Sequence, residues 1–321
     1  MMGRTAMTRH ERLLAAVRGQ AVDRVPVAAW MHLATEHLVP AQAAQLHQAW
    51  WQACDWDLLK VMADYRLGIP DGLESFDGPD KLLALAAAVR ADRCFEQQRQ
   101  CVEHLMASAG PQVPVLDSGY DPYTFLLRHI GHDQAAGLWA HAEATLQVLQ
   151  AITERTCAHL QQLKRMGLAG YFHATYGAIA PGQPRGISTA IFECFVRPFD
   201  LQILDAAEGL VRVLHAHGSG VLLERLQGYP FEVLHLADRT PGNPTLAQLR
   251  QWTPRCLMGG VDERTFTGLS VAGLRQQMHE AIAQVGPSGL ILAPGCAVAP
   301  SSSGRLLRTL RGNTRVLHRG L

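Results

Sequence analysis

No stretch of this 321-residue chain approaches the ~20 consecutive apolar residues that span a bilayer, so no helical membrane span is expected. An excess charge of either sign is also lacking. Lys and Arg total 29 against 28 Asp and Glu, and a net charge of +1 leaves no basic field to draw in nucleic acid or an anionic membrane surface. The opening residues, Met1-Met2-Gly3-Arg4-Thr5, lack the apolar core of a signal peptide, and a cytoplasmic location is the expectation. The seven cysteines, at positions 54, 94, 101, 157, 194, 256 and 296, are odd in number and show no framework spacing. They read as reduced packing residues, with Cys296 set apart. There is no repeat of fixed period and no low-complexity linker. No strand-like run is followed by a Gly-x-Gly-x-x-Gly turn, which argues against a doubly wound dinucleotide-binding sheet.

What the chain does have is 48% apolar and 18% charged residues, the composition of a globular protein able to bury a large core. Short apolar runs recur between long amphipathic stretches at 25–30, 58–62, 113–116, 169–173, 211–215, 233–236, 256–258 and 290–293. Between them lie helical patterns rich in Ala, Leu, Gln and Glu, such as 135–166 and 246–252. Eight alternating βα units over residues 1–321 predict a single α/β domain, a (β/α)8 TIM barrel, with a helix at about 8–19 ahead of the first strand. The Gly- and Pro-rich segment 181–188, with Arg185, reads as a loop over the barrel mouth.

In such barrels the chemistry sits at the C-terminal strand ends, so the polar residue closing each run becomes a candidate. These are His32, Asp64, Asp117, His173, His215 with His217, Asp238, Asp262 and Cys296. Two segments stand out, Leu214-His215-Ala216-His217-Gly218 and Pro294-Gly295-Cys296. Side chains at i and i+2 of a strand share a face, which lets both histidines reach one ion, and imidazole with thiolate is a ligand set that zinc takes in a tetrahedral site. Three protein ligands leave a fourth position for water or substrate. The same residues also fit a plain role, two histidines bonded to neighbouring carbonyls and a small buried thiol. The aspartates likewise fit caps and turns, and His173, between Phe172 and Ala174, fits a satisfied core histidine.

The chain resembles the uroporphyrinogen decarboxylase superfamily, which includes zinc-dependent methyltransferases acting on corrinoid proteins and coenzyme M. The resemblance is carried first by Glu11-Arg12-Leu13-Leu14-Ala15-Ala16-Val17-Arg18-Gly19-Gln20-Ala21-Val22-Asp23-Arg24-Val25-Pro26-Val27, a helix, a Gly turn and Asp-Arg-x-Pro leading into the first strand. Residues 192–198 are similar to the segment before the family's fifth strand, Gly259-Gly260-Val261-Asp262 to its Gly-Asn-Val-Asp, and Leu292-Ala293-Pro294-Gly295-Cys296 to its Cys-bearing eighth strand. The decarboxylases carry an Arg-Gln-Ala-Gly-Arg segment after strand one that holds substrate carboxylates. This chain has Met31-His32-Leu33-Ala34-Thr35-Glu36 there. An octacarboxylate needs several cationic partners, so porphyrinogen decarboxylation is not expected, although Asp64 falls where that branch keeps its pyrrole-facing aspartate.

The methyltransferases hold zinc through His-x-Cys and a later Cys. His215 and Cys296 match that pattern, and His217 stands in place of the middle cysteine. Replacing a thiolate by a neutral ligand leaves the ion more electrophilic and puts coenzyme M itself in doubt. The resemblance therefore implies a zinc-dependent enzyme that moves a methyl or alkyl group to or from a thiol or similar donor. Its metal would sit on His215, His217 and Cys296, with Asp64 and His173 as catalytic candidates and His32, Asp117, Tyr120 and Asp238 as substrate contacts. The expected cofactors are zinc and a corrinoid carried by a partner protein; a small-molecule substrate is the other partner, and a homodimer is compatible with the sequence. Two rivals stay open: a metal-independent lyase of a small acid, with Asp64 stabilising the cationic intermediate, and a non-catalytic corrinoid- or metal-binding barrel.

Overall fold

The computed structural model of the chain describes residues 6–73, 76 and 78–312. Seven strands form one parallel sheet in sequential order: β1 (Leu59–Lys60), β2 (Val115–Tyr120), β3 (Gly170–Thr175), β4 (Val211–Ala216), β5 (Val233–Leu236), β6 (Cys256–Val261) and β7 (Leu290–Pro294). They coincide with the second to eighth runs read from sequence. Helices connect the strands and pack on the sheet's outer face, among them Cys94–Ala109, Ala142–Arg165 and Arg197–Ala206. The helix Arg9–Val17 begins in a capping box, Thr8 accepting from the Glu11 amide while the Glu11 carboxylate bonds back to Thr8. Proline opens the helices Pro40–Cys54, Pro79–Ala91 and Pro122–Ile130, where its missing N–H costs nothing. Among the described residues no helix is long and apolar enough to cross a membrane.

The first run corrects the expectation of eight regular strands. Residues 25–30 build no ladder, and Val27 makes one isolated parallel bridge to Leu292 of β7. Two backbone bonds flank it, Ala28 N–H to Leu292 O and Leu292 N–H to Pro26 O. On the other side Val27 O accepts from the Asp57 amide, two residues ahead of β1, at 3.0 Å. Pro26 has no N–H to give a ladder, and the Val27 N–H goes to a side chain, Asp57 Oδ2, at 2.9 Å. The sheet is thus seven-stranded and curls until this irregular segment lies between β7 and the approach to β1.

Asp57 does more than cap Val27. Its buried carboxylate takes Arg12 at 2.8 Å and both terminal nitrogens of Arg24, while Arg12 also bonds Asp23 at 2.6 Å. These arginines and Asp23 belong to the opening signature, so its physical role is to tie helix, first segment and β1 together around one buried carboxylate.

Strand alternation divides the remaining residues between two cores. Leu116, Phe172, Val211, Val213, Val233, Cys256, Met258, Ile291 and Ala293 fill the inside of the curled sheet, closed from below by Leu13, Ala16 and Val22. Tyr171, Leu214, Leu234, Leu257 and Leu292, each displaced by one residue, face the helices instead. This parity decides which polar side chains reach the mouth.

Candidate metal centre

His215 has the inward parity of Val211 and Val213, and His217 continues it just past the end of β4. The two rings converge, His215 Nε2 lying 3.1 Å from His217 Nδ1. Cys296 follows β7 through Gly295, whose Cα region packs so close to Ala237 and Glu263 that a Cβ there would come within 2.5 Å of the Ala237 backbone. That turn brings Cys296 Sγ to 3.6 Å from His217 Nδ1. Among the described residues, these three form the one group of histidine, cysteine and carboxylate ligands whose donor atoms all lie within 4.8 Å of one another.

The two spacings at His217 suit a zinc ion. Bonds of about 2.0–2.1 Å to nitrogen and 2.3 Å to sulfur at tetrahedral angles put nitrogens about 3.3 Å apart and nitrogen and sulfur about 3.6 Å apart. The observed 3.1 and 3.6 Å lie within a few tenths of those edges. The protonation states fit as well. Burial holds His215 well below the usual imidazole range, with His235 and His217 adding to the effect, and burial with Arg185 and Arg128 lowers His217 to about 4. Both rings are therefore neutral, with lone pairs to give. Burial raises the Cys296 thiol, against which the Ala297 amide works, so without a cation the group stays protonated. A metal is what would draw off that proton.

Aromatic and imidazole rings fix the ligands. Tyr176 stacks on His217 with centroids 4.2 Å apart, and His235 lies 4.5 Å from His215. His235 Nε2 bonds Pro294 O at 3.0 Å, which ties β5 to the strand carrying Cys296. Burial lowers His235 to about 3, so it too is neutral.

Two cavities meet at His215, His217 and Cys296. One, a narrow cavity of about 60 Å³, reaches into the sheet past Trp30, Lys60, Tyr120, Arg128 and Phe172. The other, about 480 Å³ and more open, is bounded by Ser219, Thr240, Glu263 and Arg264. Burial raises the Glu263 carboxyl above its usual range.

The other residues expected at the site divide by parity. His32 and Tyr120 line the inner cavity. Asp64 stands one layer back, 3.3 Å from His32 Nδ1 and accepting from Thr35 Oγ1 at 3.0 Å. Burial raises its pKa, but the bonds from His32 and Thr35 outweigh this and hold it below the usual range. His173, Asp117 and Asp238 do not line these two cavities. His173 points outward and pairs with Asp200 of Arg197–Ala206 at 2.7 Å, with Tyr229 donating to the same carboxylate. Asp117 also points outward, between His159 at 2.6 Å and Gln98 at 2.8 Å. Asp238 accepts from the Gly260 amide at 2.8 Å, and burial raises it to about 6. Asp262 pairs with Arg264, bonding its backbone amide and guanidinium. Each run did end in a polar residue, but a one-residue offset sent two of them to the helix layer.

Lys60 and His235 were not anticipated, because both lie inside apolar runs rather than at their ends. Counting back by twos from Met62 and Ala237 would have found them.

Since His173 is fully buried yet remote from the ligands, His173→Ala is expected to cost about 3 kcal/mol of stability while metal content stays at the wild-type level. Urea unfolding and elemental analysis of one preparation check both halves.

A family model described as uroporphyrinogen decarboxylase (URO-D) matches residues 74–311. Among curated proteins none matches the sequence. Among solved structures, a methyltransferase from Methanosarcina mazei superposes with a TM-score of 0.74 at 19% identity, over 97% of this chain and 99% of that one. A B12-independent methionine synthase from Shewanella sp. W3-18-1, in complex with selenomethionine, superposes with a TM-score of 0.58 at 11% identity, over 87% of this chain and 88% of that one. At these identities the likeness is one of fold.

Proposed function

The chain belongs to the uroporphyrinogen decarboxylase family, and from that premise we propose that it is a zinc-dependent methyltransferase-like enzyme rather than a porphyrinogen decarboxylase, built on a barrel whose eighth stave is the segment 25–30. The observation that carries this reading is the convergence of His215 Nε2, His217 Nδ1 and Cys296 Sγ where the two cavities meet. When bound, zinc would lower the pKa of a thiol or similar donor and keep it anionic at neutral pH. The remaining work falls to the protein. Tyr176 and His235 hold the two imidazoles in place, and Trp30 and Phe172 wall the inner cavity against water. His32, whose Nδ1 faces the ionised Asp64, is placed to take up the proton that a donor loses.

In the transfer, a sulfur–carbon bond forms as the bond from that carbon to its carrier breaks, and the electron pair stays with the carrier. The fold's likeness to a methyltransferase supports group transfer as the reaction class, and a corrinoid on a partner protein is the carrier we favour from the sequence resemblance. The more open cavity by Glu263 offers it an approach that leaves the inner cavity to the acceptor.

The inner cavity also disfavours the tetrapyrrole. Its lining offers two basic side chains, Lys60 and Arg128, where eight carboxylates would enter, and Glu36 stands in the segment where paired arginines would be needed. Incubating the zinc-loaded protein with methylcobalamin and a short thiol should yield the methyl thioether by mass spectrometry, whereas uroporphyrinogen should release no CO₂. Carbon dioxide from uroporphyrinogen, with no thioether from any thiol tried, would overturn the proposal.

A further inference from the structure

Among the described residues Lys60 is the one lysine on the inner cavity's wall. Its inward parity on β1 carries the ammonium between two rings, 4.5 Å from the centre of Phe172 and 5.1 Å from that of Trp30. The polar contact it makes is with Met62 Sδ at 3.1 Å, a weak acceptor. Among the described residues no carboxylate lies within ion-pairing distance of it, in contrast to Arg12, Arg24, Arg212 and Arg239, which are all paired. Part of its surface stays open to the inner cavity, yet burial lowers it to about 8, against the pull of Cys296, Asp64 and Asp117.

An ammonium taken out of water is stabilised chiefly by an anion with good geometry, and two aromatic faces replace only part of its lost hydration. Among the described residues its ammonium has Met62 Sδ as its acceptor, and no carboxylate lines the cavity it shares with His215, His217 and Cys296. The positive charge of a bound metal would sharpen that need for an anion. A neutral thiol would leave Lys60 as it is.

We propose that Lys60 is the specificity-determining residue of the inner cavity, holding the carboxylate of a short mercapto acid whose sulfur points to His215, His217 and Cys296. The inference deepens the methyltransferase reading and rests on it for the role of the sulfur; the carboxylate contact stands on Lys60 alone. One charge anchors one carboxylate, which suits a molecule of a few carbons in this cavity.

The test compares mercaptopropionate with its neutral isostere mercaptopropionamide by titration calorimetry, on metal-free and zinc-loaded full-length protein. Wild type should prefer the acid in both forms, by roughly tenfold to a hundredfold for a charge-assisted contact. Lys60→Met, close in shape, should abolish the preference, and Lys60→Arg should keep part of it. Equal affinity for acid and amide in wild type, no measurable binding of the acid at millimolar concentration, or an undiminished preference in Lys60→Met would each overturn the assignment; the last would move the anchor to Arg128. An acid preference in a chain that binds no zinc would support Lys60 while removing the metal centre, so the two readings fail separately.

Discussion

Asp57→Ala is expected to lower the free energy of unfolding by about 3–5 kcal/mol, a large part of the stability of an ordinary domain. The carboxylate is fully buried and is the shared partner of Arg12 and Arg24, besides accepting the Val27 amide. Removing it strands Arg24, which is almost wholly buried, and takes one partner from Arg12. Arg12 keeps Asp23, so the loss concentrates on Arg24 and the segment 25–30. Because that segment holds its place by one bridge and a few hydrogen bonds, loosening it also frees Trp30 and His32 at its far end, both in the cavity wall. Asp57→Asn, which keeps an acceptor for Val27 while losing the charge, should cost less. Urea unfolding measures the series, and a cost below about 1 kcal/mol for the alanine variant would mean that the cluster does not hold the segment.

The second large effect is at His217. His217→Ala removes the ligand that lies between His215 and Cys296 and should weaken zinc binding by more than about a hundredfold, since even the loss of an outer partner costs 10–100-fold. Methyl transfer should disappear with the metal. His217→Cys supplies a second thiolate and should retain zinc while moving the deprotonation of a bound thiol to higher pH, because an anionic ligand makes the ion less acidifying. A competition assay with a chromophoric chelator gives the affinities, and a pH titration of the bound thiol gives the shift. Full zinc affinity in His217→Ala would make His217 a bystander held by Tyr176 alone.

Much of the fold was legible in the sequence because buried parallel strands leave short apolar runs, and seven of the runs became β1 to β7. The eighth failed for a local reason: Pro26 and the reach of Asp57 satisfy the segment's backbone without a ladder. The cluster of His215, His217 and Cys296 was legible because the two histidines share parity and Cys296 follows the end of β7. His173 and Asp117 misled because a strand's last polar residue faces the mouth only when it is an even number of residues from an inward one. Lys60 stayed hidden for the converse reason, being inward but mid-run, where a lysine looks like an interruption. What brings it into view is the pairing of its ammonium with Trp30 and Phe172, a contact between segments far apart in sequence.

The most direct measurement is elemental analysis of the chain purified without chelator, incubated with zinc and dialysed, beside Cys296→Ser treated in the same way. The three converging donors predict about one zinc per chain in the wild type and loss of most of it in the variant. A wild-type chain that stays free of metal after incubation, or a Cys296→Ser chain that keeps its full equivalent, would contradict the account.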